Sequence, residues 1–239
     1  MKLRPFLLNS IPKSGTHLLL QAVKGIPDVE IVPPVIMGEL KKESLDLHDL
    51  SLNQFIYGHL FYSAEYEEIF RKLGVKQLLM IRDPRDVILS LYYYMFKVLP
   101  HHPVRRYAEK NELTKEEIIN SLILGISDED FLYEGTNKVM TRFSSWMKNP
   151  DVLVLRYEDL NDPAKQDKEF FKILFHLSEG NEPGNFSGII ESMKNNIIPE
   201  HSGTFRKGRS GEWKTEFTNM NKKVFHQNCQ KLLTELGYE

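Results

Sequence analysis

The sequence predicts an α/β fold: a single domain with a central parallel sheet flanked by helices, and an anion-binding loop after the first strand. Two observations indicate this fold. Apolar runs of strand length alternate with stretches of helical spacing, and a Lys-Ser-Gly-Thr turn joins the first strand to a helical pattern. The 239 residues contain no linker rich in Pro, Gly or Ser, so we expect one domain over residues 1–239.

Four apolar runs are predicted as strands: Pro5–Asn9, Gln54–Tyr57, Val75–Ile81 and Val152–Tyr157. The helical patterns between them are typical of parallel strands joined by crossover helices. In such a sheet, ligands bind outside the carboxyl ends of the strands. The residues directly after each run are therefore the first candidates for function.

Helices are predicted from their start signals and their spacing. Asp83 with Pro84 is typical of an N-cap and first turn, and Thr114 with Glu117 is typical of a capping box. Residues Pro100–Asn111 are predicted as a polar break that contains proline. Further helices are predicted near Asn137–Lys148, Pro163–Leu177, Phe186–Asn195 and Asn221–Leu236.

Composition limits the class of partner. The net charge of −2 does not favour wholesale binding to nucleic acid or to a membrane surface, so an anion site must be local. Cys229 is the only cysteine, which excludes an intrachain disulfide and favours a reducing compartment. The first apolar run is too short for a membrane span or a signal sequence. We therefore predict a cytoplasmic protein with no membrane span and no nucleic-acid partner.

The P-loop-like turn after the first strand carries the clearest functional signal. Lys13 supplies a charge, Gly15 allows close backbone approach, and Ser14 and Thr16 place hydroxyl donors at the start of a helix. Because Lys13 precedes Gly15, the turn departs from the G-x-x-x-x-G-K-[ST] signature, which disfavours an ordinary ATPase. A plain strand-to-helix turn with one solvated lysine is the alternative.

Other strand ends and one late segment add polar candidates. His59 and Arg82 follow the second and third predicted strands, and Tyr157 ends the fourth. Residues Arg206–Lys214 combine four cations with two glycines, which suits a phosphate group. The alternative for this segment is a solvated basic loop. Together these residues predict a binding site for a ligand that carries more than one anionic group.

Four ordered motifs resemble those of the cytosolic-type sulfotransferases. They are PKSGT, RDPRDVILS, YEDL and RKGRSGEWKTEFT, and they span Ile11 to Thr218. The resemblance implies one α/β domain that uses 3′-phosphoadenosine 5′-phosphosulfate (PAPS) as sulfuryl donor, without a metal. It also implies transfer to the hydroxyl or amine of a small-molecule acceptor, with a phenol or other alcohol ahead of a sugar or peptide.

The resemblance also implies roles for residues that match the motifs. Lys13 would stabilise charge as the S–O bond breaks, while Arg82 and Arg206 would bind the 3′-phosphate. The implied donor-binding residues are Lys13, Ser14, Gly15, Thr16, His17, Arg82, Ser90, Tyr157, Arg206, Lys207 and Gly208. This set distinguishes PAPS from ATP, which lacks the 3′-phosphate.

His59 falls where the family's Lys-Thr-His-Leu segment places its catalytic base. A neutral imidazole near pH 7 takes a proton from a hydroxyl as that hydroxyl attacks. We predict that His59 is the general base and that Lys13 is the other catalytic residue. A hydrogen-bonded structural histidine is the alternative.

The chain departs from the family pattern at four positions. Leu18 stands where the family has an adenine-stacking tryptophan, Ile190 where an aromatic residue is common, Tyr57 where it has a lysine, and His17 where it has a threonine. The family's dimerisation motif K-x-x-x-T-V-x-x-x-E is not found, so the sequence does not predict an oligomeric state.

Two other functions stay open at this stage: a P-loop kinase-like phosphotransferase, and a catalytically silent nucleotide-binding relative. One local feature also has two interpretations. The aromatic residues of Tyr92–Phe96 would either line an apolar acceptor pocket or pack in a helical core.

Overall fold

The computed structural model describes residues 1–33, 35–38, 50–181 and 185–239. The chain forms two compact units. The first contains Met1–Arg82 and Ser145–Phe205, and the second contains Asp83–Ser144 and Arg206–Glu239. The single domain over residues 1–239 stays a prediction.

The first unit contains the parallel sheet. Its described strands are β1 (Phe6–Ser10), β2 (Glu30–Ile31), β3 (Ile36–Gly38), β4 (Gln54–Leu60), β5 (Lys76–Ile81) and β8 (Val152–Arg156). They are ordered β2-β4-β1-β5-β8, with β3 also paired to β4, and every pair is parallel. The four predicted strands are confirmed to within three residues at each end. The sequence did not predict β2 and β3, because strands of two and three residues are too short to show a periodic pattern.

The register brings the carboxyl ends of three strands to one edge. Asn9 of β1 lies opposite Gly58 of β4 on one side and Leu79 of β5 on the other. The loop after β1, His59 near the end of β4 and Arg82 after β5 therefore share this edge. Residues at the carboxyl ends of parallel strands are expected to share one edge, and these three segments do. Their function stays a prediction.

Helices cover both faces of this sheet. They are α1 (Thr16–Lys24), α2 (Ala64–Leu73), α7 (Tyr157–Leu160), α8 (Gln166–Leu177) and α9 (Phe186–Asn195), with 3₁₀ turns at Ser145–Lys148 and Pro199–His201. Phe6 and Leu8 share one core with side chains of α1, α8 and α9. Trp146 stacks on Phe70 of α2, with ring centroids 5.9 Å apart. The predicted parallel sheet flanked by helices is confirmed.

The second unit is mainly helical. Its helices are α3 (Pro84–Lys97), α4 (Pro103–Lys110), α5 (Lys115–Leu124), α6 (Thr136–Ser144), α10 (Trp213–Glu216) and α11 (Asn219–Leu236). The short strands β6 (Gly125–Ser127) and β7 (Leu132–Glu134) pair antiparallel. Side chains of α3, α5 and α11, including Cys229, form its core. None of the helices in the described ranges is long and apolar enough to span a membrane.

One local prediction is wrong. Most of the segment predicted as a polar break is helix α4, which begins at Pro103. Proline is favoured at a first helical position, and His102 Nδ1 accepts the Val104 N–H at 3.2 Å. Val104 and Ala108 are buried one turn apart. Two apolar residues among many polar ones are too weak a periodic pattern to predict this helix from the sequence.

The predicted capping box of α5 is confirmed, and it yields a stability prediction. Thr114 Oγ1 accepts the Glu117 N–H at 3.4 Å, and the Glu117 carboxylate accepts the Thr114 N–H at 2.8 Å. We expect Thr114→Ala to lower the free energy of unfolding by about 1 kcal/mol, because the helix loses its cap. Thr114→Ser keeps the hydroxyl and serves as control. Equal urea midpoints for the two variants would contradict this.

Candidate active site

The loop between β1 and α1 exposes backbone donors. Lys13 and Gly15 both adopt positive φ, at 69° and 102°. Gly15 is the N-cap of α1, and it has no side chain with which to cap the first turn. The first N–H groups of a helix have no acceptor within the helix, so they are available to an anion.

Gly15 has a packing role in addition to its conformational one. A Cβ at this position would lie 2.5 Å from Tyr157 Cδ2 and 3.0 Å from Met80 Cε. The sequence suggested that Gly15 lets the backbone approach a ligand. The structure gives another reason for glycine here, because the loop rests against the Tyr157 ring.

Ser14 is the clearest sign that the loop binds something. Its side chain is fully buried, and its hydroxyl has no hydrogen-bond partner among the residues that the structure describes. A buried hydroxyl without a partner costs free energy, so most such groups are satisfied by protein or ligand. An oxyanion held by the adjacent backbone N–H groups would satisfy Ser14.

Two cations lie beside the loop. The Arg82 guanidinium is buried, stacks 4.3 Å above the centre of the Tyr157 ring, and places Nη1 3.5 Å from the Lys13 carbonyl oxygen. Burial, and next the charge of Arg82, lower the pKa of Lys13 to about 8. The loop therefore lies in a positive field that favours an anion.

His59 is held as a neutral base. Its Nδ1 lies 2.8 Å from the carbonyl oxygen of Ser10, which can only accept a hydrogen bond. In neutral imidazole the proton must then be on Nδ1, which leaves Nε2 as a proton acceptor. Burial lowers the pKa of His59 and outweighs the opposing bond to Ser10, while the charges of His17 and Lys13 lower it further.

Ser10 links the base to the loop. Its Oγ lies 3.2 Å from His59 Nδ1 and 2.7 Å from Thr16 Oγ1. With the proton on Nδ1, Ser10 Oγ accepts from His59. Either hydroxyl can donate in the Ser10–Thr16 pair, since Ser10 Oγ also lies 3.4 Å from the Gly58 carbonyl oxygen. Ser10 is not among the residues predicted from the sequence, although a polar residue at the end of an apolar strand is a usable signal.

The residues at which the chain departs from the family pattern are placed in or near the first core. Leu18, Tyr57 and Ile190 are partly buried and pack against the core of the first unit. His17 is the second residue of α1, and burial followed by the charge of Lys13 lowers its pKa. Three of the departures are therefore accommodated by apolar packing.

The remaining predicted site residues belong to the second unit. Ser90 lies half-buried in α3. Arg206 forms an ion pair with Glu212, and its guanidinium lies 4.5 Å above the centre of the Tyr93 ring. Lys207 Nζ lies 3.1 Å from Glu212 Oε1, and Gly208 has a φ of 61°. Arg206 and Lys207 thus share one carboxylate.

The basic segment is anchored to the start of α3. The buried Asp86 carboxylate accepts the Gly211 N–H at 2.6 Å and the Trp213 N–H at 3.1 Å. Trp213 Nε1 also donates to Asp83 at 3.1 Å. A merely solvated loop would lack such bonds. Asp86 and Trp213 are not among the residues predicted from the sequence, because their partners lie 125 to 130 residues away.

The aromatic cluster of α3 serves mainly in packing. Met95 is buried, and the rings of Tyr92 and Phe96, which stack 5.0 Å apart, pack against the core of the second unit. The Tyr93 hydroxyl donates to Glu216 at 2.7 Å. These contacts favour the helical-core interpretation for Tyr92, Met95 and Phe96.

The first unit has the parts of a group-transfer enzyme that handles an anionic donor: open helix N–H groups, two cations and a neutral base. Comparison with known proteins identifies the family. The model of the Sulfotransferase domain matches residues 3–237. The chain belongs to this family, and the prediction of a sulfotransferase enzyme is confirmed.

Known relatives resemble the chain over most of its length. Sulfotransferase 6B1 of Danio rerio is 24% identical, over 89% of this chain and 70% of its own. The 3-beta-hydroxysteroid sulfotransferase of Cavia porcellus is 26% identical, over 95% of this chain and 82% of its own. The crystal structure of mouse sulfotransferase SULT7A1 complexed with PAP superposes with a TM-score of 0.67 at 20% identity. The superposition covers 98% of this chain and 86% of the mouse chain. This likeness confirms the fold.

The lowered pKa of Lys13 yields a second prediction. A lysine whose pKa falls from 10.5 to about 8 is destabilised as a cation in the folded state. We expect Lys13→Met to raise the free energy of unfolding at pH 7 by about 1–3 kcal/mol, since each pKa unit corresponds to about 1.4 kcal/mol and solvent reduces the effect.

The pH dependence checks the cause of this gain. Above pH 8 folded Lys13 loses its proton while the unfolded chain keeps it, so the difference between wild type and Lys13→Met must shrink as pH rises toward 10.5. Urea unfolding between pH 7 and 9.5 measures it. A difference that stays constant, or a less stable Lys13→Met variant at pH 7, would contradict the prediction.

Proposed function

We propose that this sulfotransferase transfers a sulfuryl group from PAPS to the hydroxyl of a small acceptor, a phenol or another alcohol, with His59 as general base. The observation that carries the proposal is the bond from His59 Nδ1 to the Ser10 carbonyl oxygen at 2.8 Å. It leaves Nε2 unprotonated beside an anion-binding loop. Membership of the sulfotransferase family supports the reaction type.

PAPS supplies the sulfuryl group, and its other half departs as the 3′,5′-bisphosphate PAP. The PAP complex of the mouse relative supports this donor. In our proposal Ser14, Thr16, His17 and the first N–H groups of α1 bind the 5′ end of the donor, and Tyr157 supports the loop. The fit rests on the buried Ser14 hydroxyl, which has no partner among the described residues. The 3′-phosphate is assigned to a second set of residues: Arg82, Ser90, Arg206, Lys207 and Gly208.

The side chains then have separate tasks in the reaction. His59 Nε2 takes the proton of the acceptor hydroxyl, a role typically worth about 10²–10⁴-fold in rate. Lys13, with a pKa of about 8, is mostly protonated at pH 7 and stabilises negative charge on the leaving side. The Ser10 carbonyl stabilises the imidazolium that His59 becomes, because it already accepts the Nδ1 proton.

An alcohol is the acceptor that this arrangement favours. A hydroxyl that attacks must lose its proton, which gives an unprotonated Nε2 its use. The relative from Cavia porcellus is named for a 3-beta-hydroxysteroid, which is an alcohol, and this supports the proposed class.

A kinase-like phosphotransferase is the second candidate, and Asp83 argues against it. Such an enzyme binds Mg²⁺ through a carboxylate after a strand. Asp83 follows β5, but its carboxylate binds Arg85 at 2.8 Å and caps α3. Thermal stabilisation separates the candidates: PAP should raise the melting temperature if the protein is a sulfotransferase, and Mg·ATP if it is a kinase.

The main test measures transfer of radiolabelled sulfuryl from PAPS to a panel of phenols, alcohols, amines and sugars. We expect His59→Ala to lower kcat by about 10²–10⁴-fold, because the proton acceptor is lost. Affinity for PAP should change little. The exposed His226 supplies a matched control, since His226→Ala removes an imidazole elsewhere.

The outcomes of this test separate the alternatives. Equal transfer by wild type and His59→Ala would refute the base. Tight PAP binding without transfer to any class of acceptor would favour a catalytically silent relative. Labelled product found only with amines would refute the hydroxyl acceptor, and product found only with sugars would refute the order that puts phenols and other alcohols ahead of sugars.

A second test addresses the 3′-phosphate. We expect Arg206→Ala to weaken binding of PAP by about 10- to 100-fold, the typical effect of losing a hydrogen bond to a charged group. Binding of adenosine 5′-phosphate, which lacks the 3′ group, should be unchanged. Arg209→Ala removes the same charge three residues on and serves as control. Equal losses for both nucleotides, or for both variants, would contradict the assignment.

A further inference from the structure

The end of β4 extends beyond the backbone pairing that β1 provides. Backbone pairing between these strands ends at Asn9 opposite Gly58, whereas β4 continues through His59 and Leu60. After Ser10 the chain turns into the anion-binding loop. Without another partner, the backbone that carries the base would have one open side.

The Asn9 side chain fills this position. Its Oδ1 accepts the Leu60 N–H at 2.8 Å, and its Nδ2 donates to the Leu60 carbonyl oxygen at 2.9 Å. The same Oδ1 accepts the Ser10 N–H at 2.9 Å. An amide that both donates to and accepts from one residue replaces a peptide unit of β1. Asn9 is fully buried, so these bonds have no competition from water.

The opposite side of β4 is already fixed. Met37 and Gly38 of β3 pair with His59 and Leu60. Trp146 Nε1 adds a second donor to the Leu60 carbonyl oxygen at 3.1 Å. On the side of β1, the Ser10 hydroxyl lies 3.2 Å from His59 Nδ1 and 3.4 Å from the Gly58 carbonyl oxygen, and Asn9 holds both Leu60 and the Ser10 N–H. Of these links, the Asn9 side chain is the one that fixes the backbone after His59.

We infer that Asn9 is a positioning residue for His59. By joining Leu60 to Ser10, it sets the distance from His59 Nδ1 to the Ser10 carbonyl oxygen, and so places the proton on Nδ1 and the free electron pair on Nε2. Asn9 does not contact the reacting atoms in this inference. Asn9 acts through His59. The inference rests on the proposed function only where turnover is measured.

The first readout is the tautomer of His59, which needs no turnover. Nitrogen NMR of ¹⁵N-histidine-labelled protein at pH 7.5, with the His59 signal assigned from a His59→Gln sample, distinguishes a proton on Nδ1 from one on Nε2. We expect Nδ1–H in the wild type and a mixture or Nε2–H in Asn9→Ala. Asn9→Ser is the milder second variant, because its short hydroxyl cannot reproduce the paired bonds to Leu60.

Asn53 supplies a matched control. Its Oδ1 accepts the Leu3 N–H at 2.7 Å and its Nδ2 donates to the Met1 carbonyl oxygen at 2.9 Å. This amide makes the same kinds of bond before β4 begins, at the end of the strand away from His59. Asn53→Ala should reduce stability but leave the His59 tautomer as in wild type.

The second readout is kinetic. We expect Asn9→Ala and Asn9→Ser to lower kcat for sulfuryl transfer by about 10- to 100-fold, the effect of a displaced catalytic group. The affinity for PAP should stay within a few-fold, and Asn53→Ala should keep kcat. A wild-type tautomer in both Asn9 variants, or an equal change in Asn53→Ala, would overturn the inference. If no wild-type transfer is found, the proposed function fails while the tautomer still decides the role of Asn9.

Discussion

The hydrogen bond from His59 Nδ1 to the Ser10 carbonyl oxygen connects two neighbouring strands at their carboxyl ends. Parallel pairing makes this bond possible, because it places the end of β4 beside the start of the loop between β1 and α1. The bond also selects one tautomer, so the strand register determines which nitrogen is able to accept a proton. The tautomer of His59 therefore depends on the pairing of β1 with β4.

The same edge of the sheet holds groups that are unfavourable in the folded chain by itself. Burial and Arg82 lower the pKa of Lys13, the Lys13 backbone adopts positive φ, and the Ser14 hydroxyl is buried without a partner in the described part of the chain. A phosphate or sulfate group would relieve each of these costs except the backbone strain. Such a balance is typical of sites that give up stability for function.

In the second unit, the start of α3 holds the basic segment. Asp86 binds two backbone N–H groups of that segment, and Glu212 pairs with both Arg206 and Lys207. A glycine-containing segment fixed by a buried carboxylate presents its cations with less loss of conformational freedom on binding than a free loop would. Asp86 and Glu212 therefore fix the conformation of the basic segment.

The sequence by itself determined the parallel α/β class, the long strands, the capping box at Thr114 and the sulfotransferase family, because these depend on local periodicity and on the order of short motifs. It gave the wrong structure for Pro103–Lys110, where two buried apolar residues among polar ones decided the helix. It also missed Asn9, Ser10 and Asp86. Leu60 lies 51 residues from Asn9, His59 lies 49 from Ser10, and the two N–H groups that Asp86 binds lie 125 and 127 residues away. Only the tertiary structure therefore decided that Ser10 fixes the tautomer of His59. Pairing between distant strands leaves no signal in a short window of sequence.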